Sequence, residues 1–325
     1  MGDLVLSADF LYSLRMKNKN SRLHLLLNES FKDLFNWSAF GYSPIVINKK
    51  KYRYNPLYRV RFIKKIRGYK YKAVYNITQE RGMINDELCL ISGAPRKIAM
   101  KKDSLYIPNL FLGLKNSRYT EVFNSSVTNE YLRLKEYLIK EKTEWITSGK
   151  MFYSASNIPE IKNSQNYIVI APMVSEMERS WGLDNYRNLC GTINDRILLI
   201  GSKLEYNSLE YVRNGRDNIT NLAGLNLADT SALLSKCKLY IGNDSGLTHM
   251  AHQLGRPMIA IIGGCNFGKF FPYKERSDAI FLYYQMDCFG CDLICIHEKR
   301  YCLTEIKQES VINSINSLKG KFITK

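Results

Sequence analysis

The stretch LYIGNDSGLTHMAHQLGRPMIAIIGG, residues 239–264, decides the fold of this chain. Its first apolar run ends at Asn243, a turn of acidic and small residues follows, and a helical pattern begins near Ser245. Pro257 then precedes a second apolar run that ends at Gly263. A buried strand, a turn, a helix and another buried strand in this order indicate a parallel sheet covered by helices.

The same alternation extends over the rest of the chain. Strands are predicted at Leu23–Asn28, 44–48, 71–77, 167–171, 196–201, 238–242 and 257–263. Helices are predicted at 4–16, 31–37, 57–67, 183–189, 227–236, 245–254 and 305–318. The polar stretch 147–165 lacks a strong period and is predicted to be a linker. We therefore predict an α/β protein with two Rossmann-like, doubly wound domains that face a cleft, at 1–155 and 156–325.

Composition limits the classes of partner. The chain has 325 residues, of which 45% are hydrophobic and 24% charged, so it is globular rather than disordered. Its formal net charge of +17 predicts an anionic partner: a nucleic acid, membrane head groups or a phosphorylated substrate. No stretch is long and apolar enough to span a bilayer, and no secretory pattern opens the sequence. We therefore expect a cytoplasmic protein or one peripheral to a membrane.

The turn after the strand that ends at Asn243 carries groups suited to an anion. Open backbone N–H groups of Ser245, Gly246 and Leu247 at a helix N-terminus form such a site, and glycine lets a phosphate approach closely. The carboxylate of Asp244 beside that anion suits sugar hydroxyls. The alternative is that Asp244 and Ser245 merely cap the helix.

The sequence DSGLTH at 244–249, followed by Ala251, Pro257 and Gly263, resembles the D-[ST]-G-x-x-H-x-A signature of glycosyltransferase family 9. These are the ADP-heptose:lipopolysaccharide heptosyltransferases. The resemblance implies a GT-B fold and an inverting transfer of heptose, or a related sugar, from an ADP-sugar donor to a lipopolysaccharide or lipooligosaccharide core acceptor. It implies donor binding by Asp244, Ser245, Gly246, Leu247 and His249. For His249 alone, a packing role is the alternative.

Two further segments match the family in order and spacing. In IVIAPMVSEMERSW at 168–181, the resemblance implies that Ser175 binds the donor phosphate and that Arg179 is a catalytic cation paired with the diphosphate. The family usually has Lys at that position, and Arg keeps the positive charge while adding a bidentate grip. In RILLIGSKLE at 196–205, it implies that Glu205 meets the donor ribose. A helix-start glutamate is the alternative there.

The opening MGDLVLSADFLYSL, residues 1–14, is similar to the G-D-x-[LV]-x-[ST] opening of the family. The resemblance implies that Asp3 is the catalytic general base. In the family this aspartate ends a strand, and no such strand precedes Asp3 here, so the N-terminal domain is expected to lack its first strand. Judged from the residues alone, Asp3 is a helix N-cap, and a truncated or non-catalytic GT-B relative is the alternative function.

No paired aspartates suited to Mg²⁺ are found, so the transfer is expected to be metal-independent and to require no cofactor. The diphosphate leaving group is then neutralised by a helix dipole and cationic side chains.

The stretch KKKYRYNPLYRVRFIKKIRGYKYK at 49–72 supplies the candidate acceptor site. Its basic residues, Arg59, Arg61 and Lys64 among them, suit the phosphates and acidic sugars of a lipopolysaccharide core, or an anionic inner-membrane surface. The alternatives are a solvated basic face and a nucleic-acid-binding protein, because basic residues here alternate with aromatic ones. A sugar-nucleotide epimerase of the same fold is disfavoured by the combination of Arg-x-Trp with DSGLTH.

Four cysteines are crowded near the C-terminus: Cys288, Cys291, Cys295 and Cys302. Their spacing is one that tetrahedral zinc tolerates, so a structural zinc site is one interpretation, and reduced packing thiols are the other.

Overall fold

The computed structural model describes residues 1–78, 82–101, 116–147, 151–153, 158 and 166–321. Its strands are β1 (Leu23–Asn28), β2 (Tyr42–Ile47), β3 (Ala73–Asn76), β4 (Arg96–Met100), β5 (Glu121–Phe123), β6 (Ile168–Ala171), β7 (Ile197–Leu199), β8 (Ile219–Asn221), β9 (Leu239–Asn243), β10 (Met258–Ile261) and β11 (Ala279–Leu282). Its helices are α1 (Gly2–Leu6), α2 (Ala8–Lys17), α3 (Trp37–Phe40), α4 (Lys49–Tyr54), α5 (Pro56–Gly68), α6 (Met83–Ile91), α7 (Glu130–Lys140), α8 (Leu183–Gly191), α9 (Tyr206–Arg213), α10 (Leu227–Leu234), α11 (Gly246–Gln253), α12 (Tyr301–Thr304) and α13 (Gln308–Leu318).

The chain forms two compact units, and the first consists of Met1–Tyr12, Asp33–Gly41 and Ile146–Lys325. Its centre is a six-stranded parallel sheet in the order β11-β10-β9-β6-β7-β8. Every residue of β6, β9 and β10 is buried, which is why these strands are nearly continuous apolar runs, with Asn243 at the end of β9 as the exception. Side chains of α8, α12 and α13 complete this core.

Residues Met1–Tyr12, which include α1 and the start of α2, belong to the first unit, and two contacts illustrate this. The Met1 side chain packs against Gly246, where an added Cβ would lie 2.4 Å from the Met1 Cε and would displace that side chain. Asp9 is fully buried and pairs with Lys274 at 3.4 Å. The units therefore do not coincide with the sequence-based ranges 1–155 and 156–325, and the donor and acceptor roles of those ranges stay predictions.

The second unit consists of Ser13–Lys32 and Tyr42–Trp145. It contains the parallel pair β1-β2 and the parallel sheet β3-β4-β5. The helix α5 buries Phe62 and Ile66 in a core shared with Ile45, Ile47 and Leu88. Among the described residues, no helix of either unit has the length and apolar character needed to cross a membrane.

The predicted parallel α/β architecture is confirmed, with local differences. The predicted helix 4–16 is broken at Ser7, whose hydroxyl donates to the Leu4 carbonyl and ends α1. The predicted helix 31–37 is wrong, because Phe35 packs edge-on against Trp37 and Phe152 in a loop. Most of the predicted linker 147–165 lies outside the described residues.

Candidate active site

The sheet of the first unit has a switch point between β6 and β9. From these neighbouring strands the chain continues in opposite directions, to β7 and β8 on one side and to β10 and β11 on the other. The end of β6 at Ala171 lies level with Gly242 in β9, so the loops that follow both strands leave the same edge. Ligands of open parallel sheets bind at such a crevice.

Asn243, the last residue of β9, ties these two loops together. It is fully buried, its amide nitrogen donates to the Pro172 carbonyl at 2.7 Å, and its amide oxygen accepts from the Trp181 backbone N–H at 3.1 Å. The Trp181 indole in turn donates to the Ile306 carbonyl at 2.8 Å. This positioning role was not predicted from the sequence. The available signal was an amide side chain that ends an otherwise apolar strand.

The N-terminus of α11 faces the same edge. Ser245 is the extended residue before the helix, and its side chain makes no capping hydrogen bond. The Thr248 hydroxyl, in the first turn of the helix, donates to the Asn243 carbonyl and so links the helix to the end of β9. The Ser245 hydroxyl and the backbone amides of Gly246 and Leu247 therefore lie together at the start of α11, where the motif predicts an anion site.

Asp244 is a buried carboxylate beside this helix start. Its side chain is 4% exposed, and its Oδ1 has no hydrogen-bond partner among the described residues. Burial raises the pKa of Asp244 to about 6, although the positive charge of Arg179 acts in the opposite direction. An unpartnered carboxylate oxygen in this position can accept a hydrogen bond from a ligand hydroxyl.

His249 is packed as well as placed at the site. Its ring stacks on Phe271 at a centroid distance of 4.1 Å, and its Nδ1 lies 3.2 Å from the Tyr273 hydroxyl. Its Nε2 lies 3.8 Å from Asp244 Oδ1. Burial, together with the nearby His252 and Arg179, holds the pKa of His249 well below its usual value. The imidazole is therefore neutral at physiological pH, and its contact with Asp244 is not an ion pair.

The loop after β6 brings Ser175 and Arg179 together. Arg179 lies in a short 3-10 turn, and its guanidinium donates to the Ser175 hydroxyl at 3.1 Å. Its side chain is 17% exposed, and its Nε is buried without a hydrogen-bond partner in the described part of the chain. Glu176, which the sequence analysis did not single out, accepts from the Ser175 hydroxyl at 2.5 Å and also contacts Arg179. The Glu176 carboxylate thus occupies the hydrogen-bonding groups of Ser175 and Arg179, which are predicted to bind the donor phosphates.

Asp3 lies in the first turn of α1 and is exposed. The helix α1 packs against α11. The preceding residue, Gly2, is so close to His249 that a Cβ built on it would lie 3.2 Å from the ring. The structure therefore places Asp3 one residue from a direct contact with the DSGLTH motif.

Glu205 follows β7 and is engaged locally. Its carboxylate accepts from the Ser202 backbone N–H at 2.6 Å, as part of a capping box. A Cβ at Gly201 would meet this carboxylate at 2.7 Å. The local contact is the helix-start role that was the alternative, and ribose binding by Glu205 stays a prediction.

The candidate acceptor residues lie together on α5 in the second unit. Arg59 pairs with Glu87 at 2.5 Å, while Arg61 and Lys64 are exposed. Their role in acceptor binding stays a prediction.

The four clustered cysteines are half-buried free thiols. Burial raises the pKa of Cys291, and the neighbouring Cys288, Cys295 and Cys302 add to this shift. Within the described ranges, these thiols do not join with other Cys, His, Asp or Glu side chains into a group that could hold a metal ion. Zinc binding stays a prediction, which metal analysis of the purified protein would test.

The raised pKa of Asp244 predicts a pH-dependent cost to stability. A carboxyl that is harder to ionise in the folded state destabilises the fold as pH rises from the unfolded pKa near 4 to the folded pKa of about 6. Asp244→Asn removes this cost, which amounts to about 3 kcal/mol at pH 7.5 at 1.36 kcal/mol per pKa unit. We expect the variant to unfold at a higher temperature than the natural protein at pH 7.5 and at a similar temperature at pH 4, measured by circular dichroism.

Asp217→Asn is the matched control, because Asp217 is exposed in a turn. It should leave the melting temperature unchanged at both pH values. An Asp244→Asn protein that melts lower than the natural protein at pH 7.5 would show that the ionised carboxylate stabilises the fold.

Comparison with known proteins places this site in context. The model of glycosyltransferase family 9 (heptosyltransferase) matches residues 59–295. The chain is 26% identical, over 179 residues, to the lipopolysaccharide core heptosyltransferase OpsX of Haemophilus influenzae. This alignment covers 52% of this chain and 51% of OpsX. The aligned region thus spans about half the length of the curated relative that the chain matches.

Solved structures share the fold. The glycosyl transferase family 9 protein from Veillonella parvula DSM 2008 has a TM-score of 0.80 at 17% identity, over 98% of this chain and 94% of that chain. E. coli heptosyltransferase WaaC with ADP-2-deoxy-2-fluoro heptose has a TM-score of 0.70 at 17% identity, over 96% of both chains. At these identities the likeness concerns the fold alone, and the predicted GT-B class is confirmed.

Proposed function

The chain belongs to glycosyltransferase family 9, and on that premise we propose that it is a glycosyltransferase that moves heptose, or a related sugar, from an ADP-sugar to a lipopolysaccharide or lipooligosaccharide core acceptor. The observation that carries the proposal is the meeting of the DSGLTH turn with Ser175 and Arg179 at one edge of a parallel sheet. The names of two similar proteins support the substrates, since one acts on the lipopolysaccharide core and the other was solved with a fluorinated ADP-heptose.

The donor diphosphate is bound by the start of α11 together with the loop after β6. Backbone amides at Ser245, Gly246 and Leu247 point at the anion with the positive end of the helix dipole behind them. Ser175 donates a hydrogen bond, and Arg179 contributes a positive charge with several N–H donors. These groups neutralise the charge that develops on the leaving ADP, so the transfer is expected to proceed without a metal ion.

The reaction is a single displacement at the anomeric carbon. The acceptor oxygen attacks this carbon from the face opposite the diphosphate, its proton passes to the Asp3 carboxylate, and ADP leaves with the electron pair of the broken C–O bond. The anomeric configuration is therefore inverted. Asp244 accepts hydrogen bonds from sugar hydroxyls through its unpartnered oxygen.

The acceptor is held by positive charge. Arg59, Arg61 and Lys64 on α5 suit the phosphates and acidic sugars of a lipopolysaccharide core. Because this acceptor is anchored in a membrane, the protein is expected to be cytoplasmic and to make peripheral contact with the anionic surface of the inner membrane.

Incubation of the purified protein with ADP-heptose, a lipopolysaccharide core acceptor and EDTA tests the proposal. We expect ADP release together with a gain of one heptose in acceptor mass, at a rate that EDTA does not change, because protein groups neutralise the leaving group. A rate that collapses with EDTA and recovers with added Mg²⁺ would contradict metal independence. ADP release without a mass gain would indicate hydrolysis rather than transfer.

Because Glu176 contacts Ser175 and Arg179, its carboxylate is predicted to compete with the donor phosphates for these two side chains. Glu176→Gln removes a negative charge from the proposed phosphate site, so we expect ADP to bind about three- to fivefold more tightly, as measured by calorimetry, a modest effect because the glutamate is partly exposed. Glu178→Gln is the matched control, because Glu178 pairs instead with Arg300. Weaker ADP binding by Glu176→Gln would mean that this glutamate orients Arg179 instead of competing with phosphate.

A further inference from the structure

The second unit exposes an unusual concentration of positive charge. Residues 49–72 contain eleven Lys and Arg residues and no Asp or Glu. In the described part of the chain, Arg59 is the one cation of this segment that pairs with a carboxylate. The segment therefore accounts for much of the net charge of the protein, and among the described residues only the charge of Arg59 is balanced by a carboxylate partner.

Apolar side chains are exposed within this positive field. Leu57 and Val60 lie on the side of α5 that faces away from the buried Phe62 and Ile66, and they are 62% and 50% exposed. Tyr54, at the end of α4, is 71% exposed.

A second helix adds to this surface. Met83, at the start of α6, is 76% exposed and lies one turn before Glu87, the partner of Arg59 on α5.

The same side of α5 also carries cations. Positions 57, 60, 64 and 67 follow the spacing of one helical face, so two aliphatic side chains stand beside Lys64 and Arg67. We define the basic–apolar face as Tyr54, Leu57, Val60, Lys64, Arg67 and Met83.

We propose that the basic–apolar face docks the protein on an anionic lipid bilayer, with Leu57 and Val60 entering the boundary between head groups and acyl chains. The inference deepens the membrane contact of the proposed function and rests on it. Lysine and arginine residues near such a surface are attracted by its negative potential, and exposed aliphatic side chains next to them gain a less polar environment.

The aliphatic side chains distinguish a bilayer from other anionic partners. A core oligosaccharide would use the cations and leave Leu57 and Val60 in water. A single-stranded nucleic acid would use the cations together with aromatic rings that stack on bases, and aliphatic side chains contribute no stacking. The bilayer is the partner that uses both components of the face.

Vesicle flotation with the full chain tests the docking surface. We expect the natural protein to bind vesicles that contain phosphatidylglycerol, to release them as salt rises, and to ignore vesicles of phosphatidylcholine alone. The double variant Leu57→Ser/Val60→Ser should lose about tenfold in partition to the anionic vesicles, since two apolar groups are removed from the interface. Leu204→Ser is the matched control, because Leu204 is 97% exposed on the first unit and should leave the partition unchanged.

Transfer to a delipidated core oligosaccharide in solution separates this inference from the proposed function. The double variant should keep the transfer rate of the natural protein there, which also shows that it is folded. If the natural protein catalyses transfer but does not bind vesicles, the docking inference is overturned and the proposed function is supported. If it binds vesicles but catalyses no transfer, the proposed function is overturned and the docking surface is supported. Equal partition of the double variant and the natural protein would overturn the assignment of this face, as would binding to a single-stranded oligonucleotide in place of vesicles.

Discussion

Asp3→Asn is expected to lower the transfer rate by about 10²- to 10⁴-fold, the range that a positioned general base contributes. The amide keeps the size of the carboxylate and cannot accept the proton of the acceptor hydroxyl. Because Asp3 is exposed in the first turn of α1, the substitution should leave the fold and the melting temperature nearly unchanged. Steady-state transfer from ADP-heptose, with ADP affinity measured separately by calorimetry, checks both parts of this expectation.

Asp184→Asn is the matched control for Asp3→Asn. Asp184 is also an exposed aspartate in the first turn of a helix, so it reproduces any loss of favourable interaction with the helix dipole. Its transfer rate should stay close to that of the natural protein. An Asp3→Asn enzyme with full activity would remove Asp3 from the mechanism and require another group to accept the proton.

Arg179→Ala is expected to lower kcat/KM by about 10²- to 10³-fold, the cost of removing one donor that stabilises developing charge. The guanidinium is held by Ser175 and Glu176 close enough to Asp244 for its positive charge to oppose part of the rise in the pKa of that carboxyl that burial causes. It is therefore positioned before the donor arrives. ADP affinity should fall as well, because the cation binds the diphosphate in the ground state.

Two further variants define what Arg179 contributes. Arg179→Lys should recover most of the loss, because it restores the positive charge without the bidentate geometry. Arg187→Ala, which removes a half-buried arginine on α8 that donates to Asn214, should have no effect on transfer. Equal losses in the Lys and Ala variants would mean that the geometry of the guanidinium matters more than its charge.

The glutamate beside this arginine shows the limit of motif analysis. The matching segment identified Ser175 and Arg179 from their positions relative to Trp181, and the structure brings the two side chains within 3.1 Å of each other. The same segment contains Glu176 and Glu178, and the sequence does not show which of these two glutamates contacts Arg179. In the structure, Glu176 pairs with Arg179 and Glu178 pairs with Arg300. The spacing of residues in the sequence does not predict these two pairings.

The position of the N-terminal residues was likewise not predictable from the sequence pattern. The sequence predicted a domain at 1–155 because the polar stretch 147–165 was interpreted as a linker. In the structure, Met1–Tyr12 instead belong to the unit that contains the C-terminal sheet, with Met1 against Gly246 and Asp9 paired with Lys274. Periodicity identifies an apolar face, and it does not say which distant surface covers that face.

The sequence by itself determined the strand–turn–helix order at 239–264 and the parallel α/β class. These depend on interactions between near neighbours: uninterrupted apolar runs, a turn of small residues, and a helix that starts directly after Ser245. Only the tertiary structure decided that Asn243 joins the loops of β6 and β9, and that Asp244 is buried deeply enough to raise its pKa to about 6. Hydrogen bonding across strands and desolvation depend on residues far apart in the chain, so they arise only when the sheet assembles.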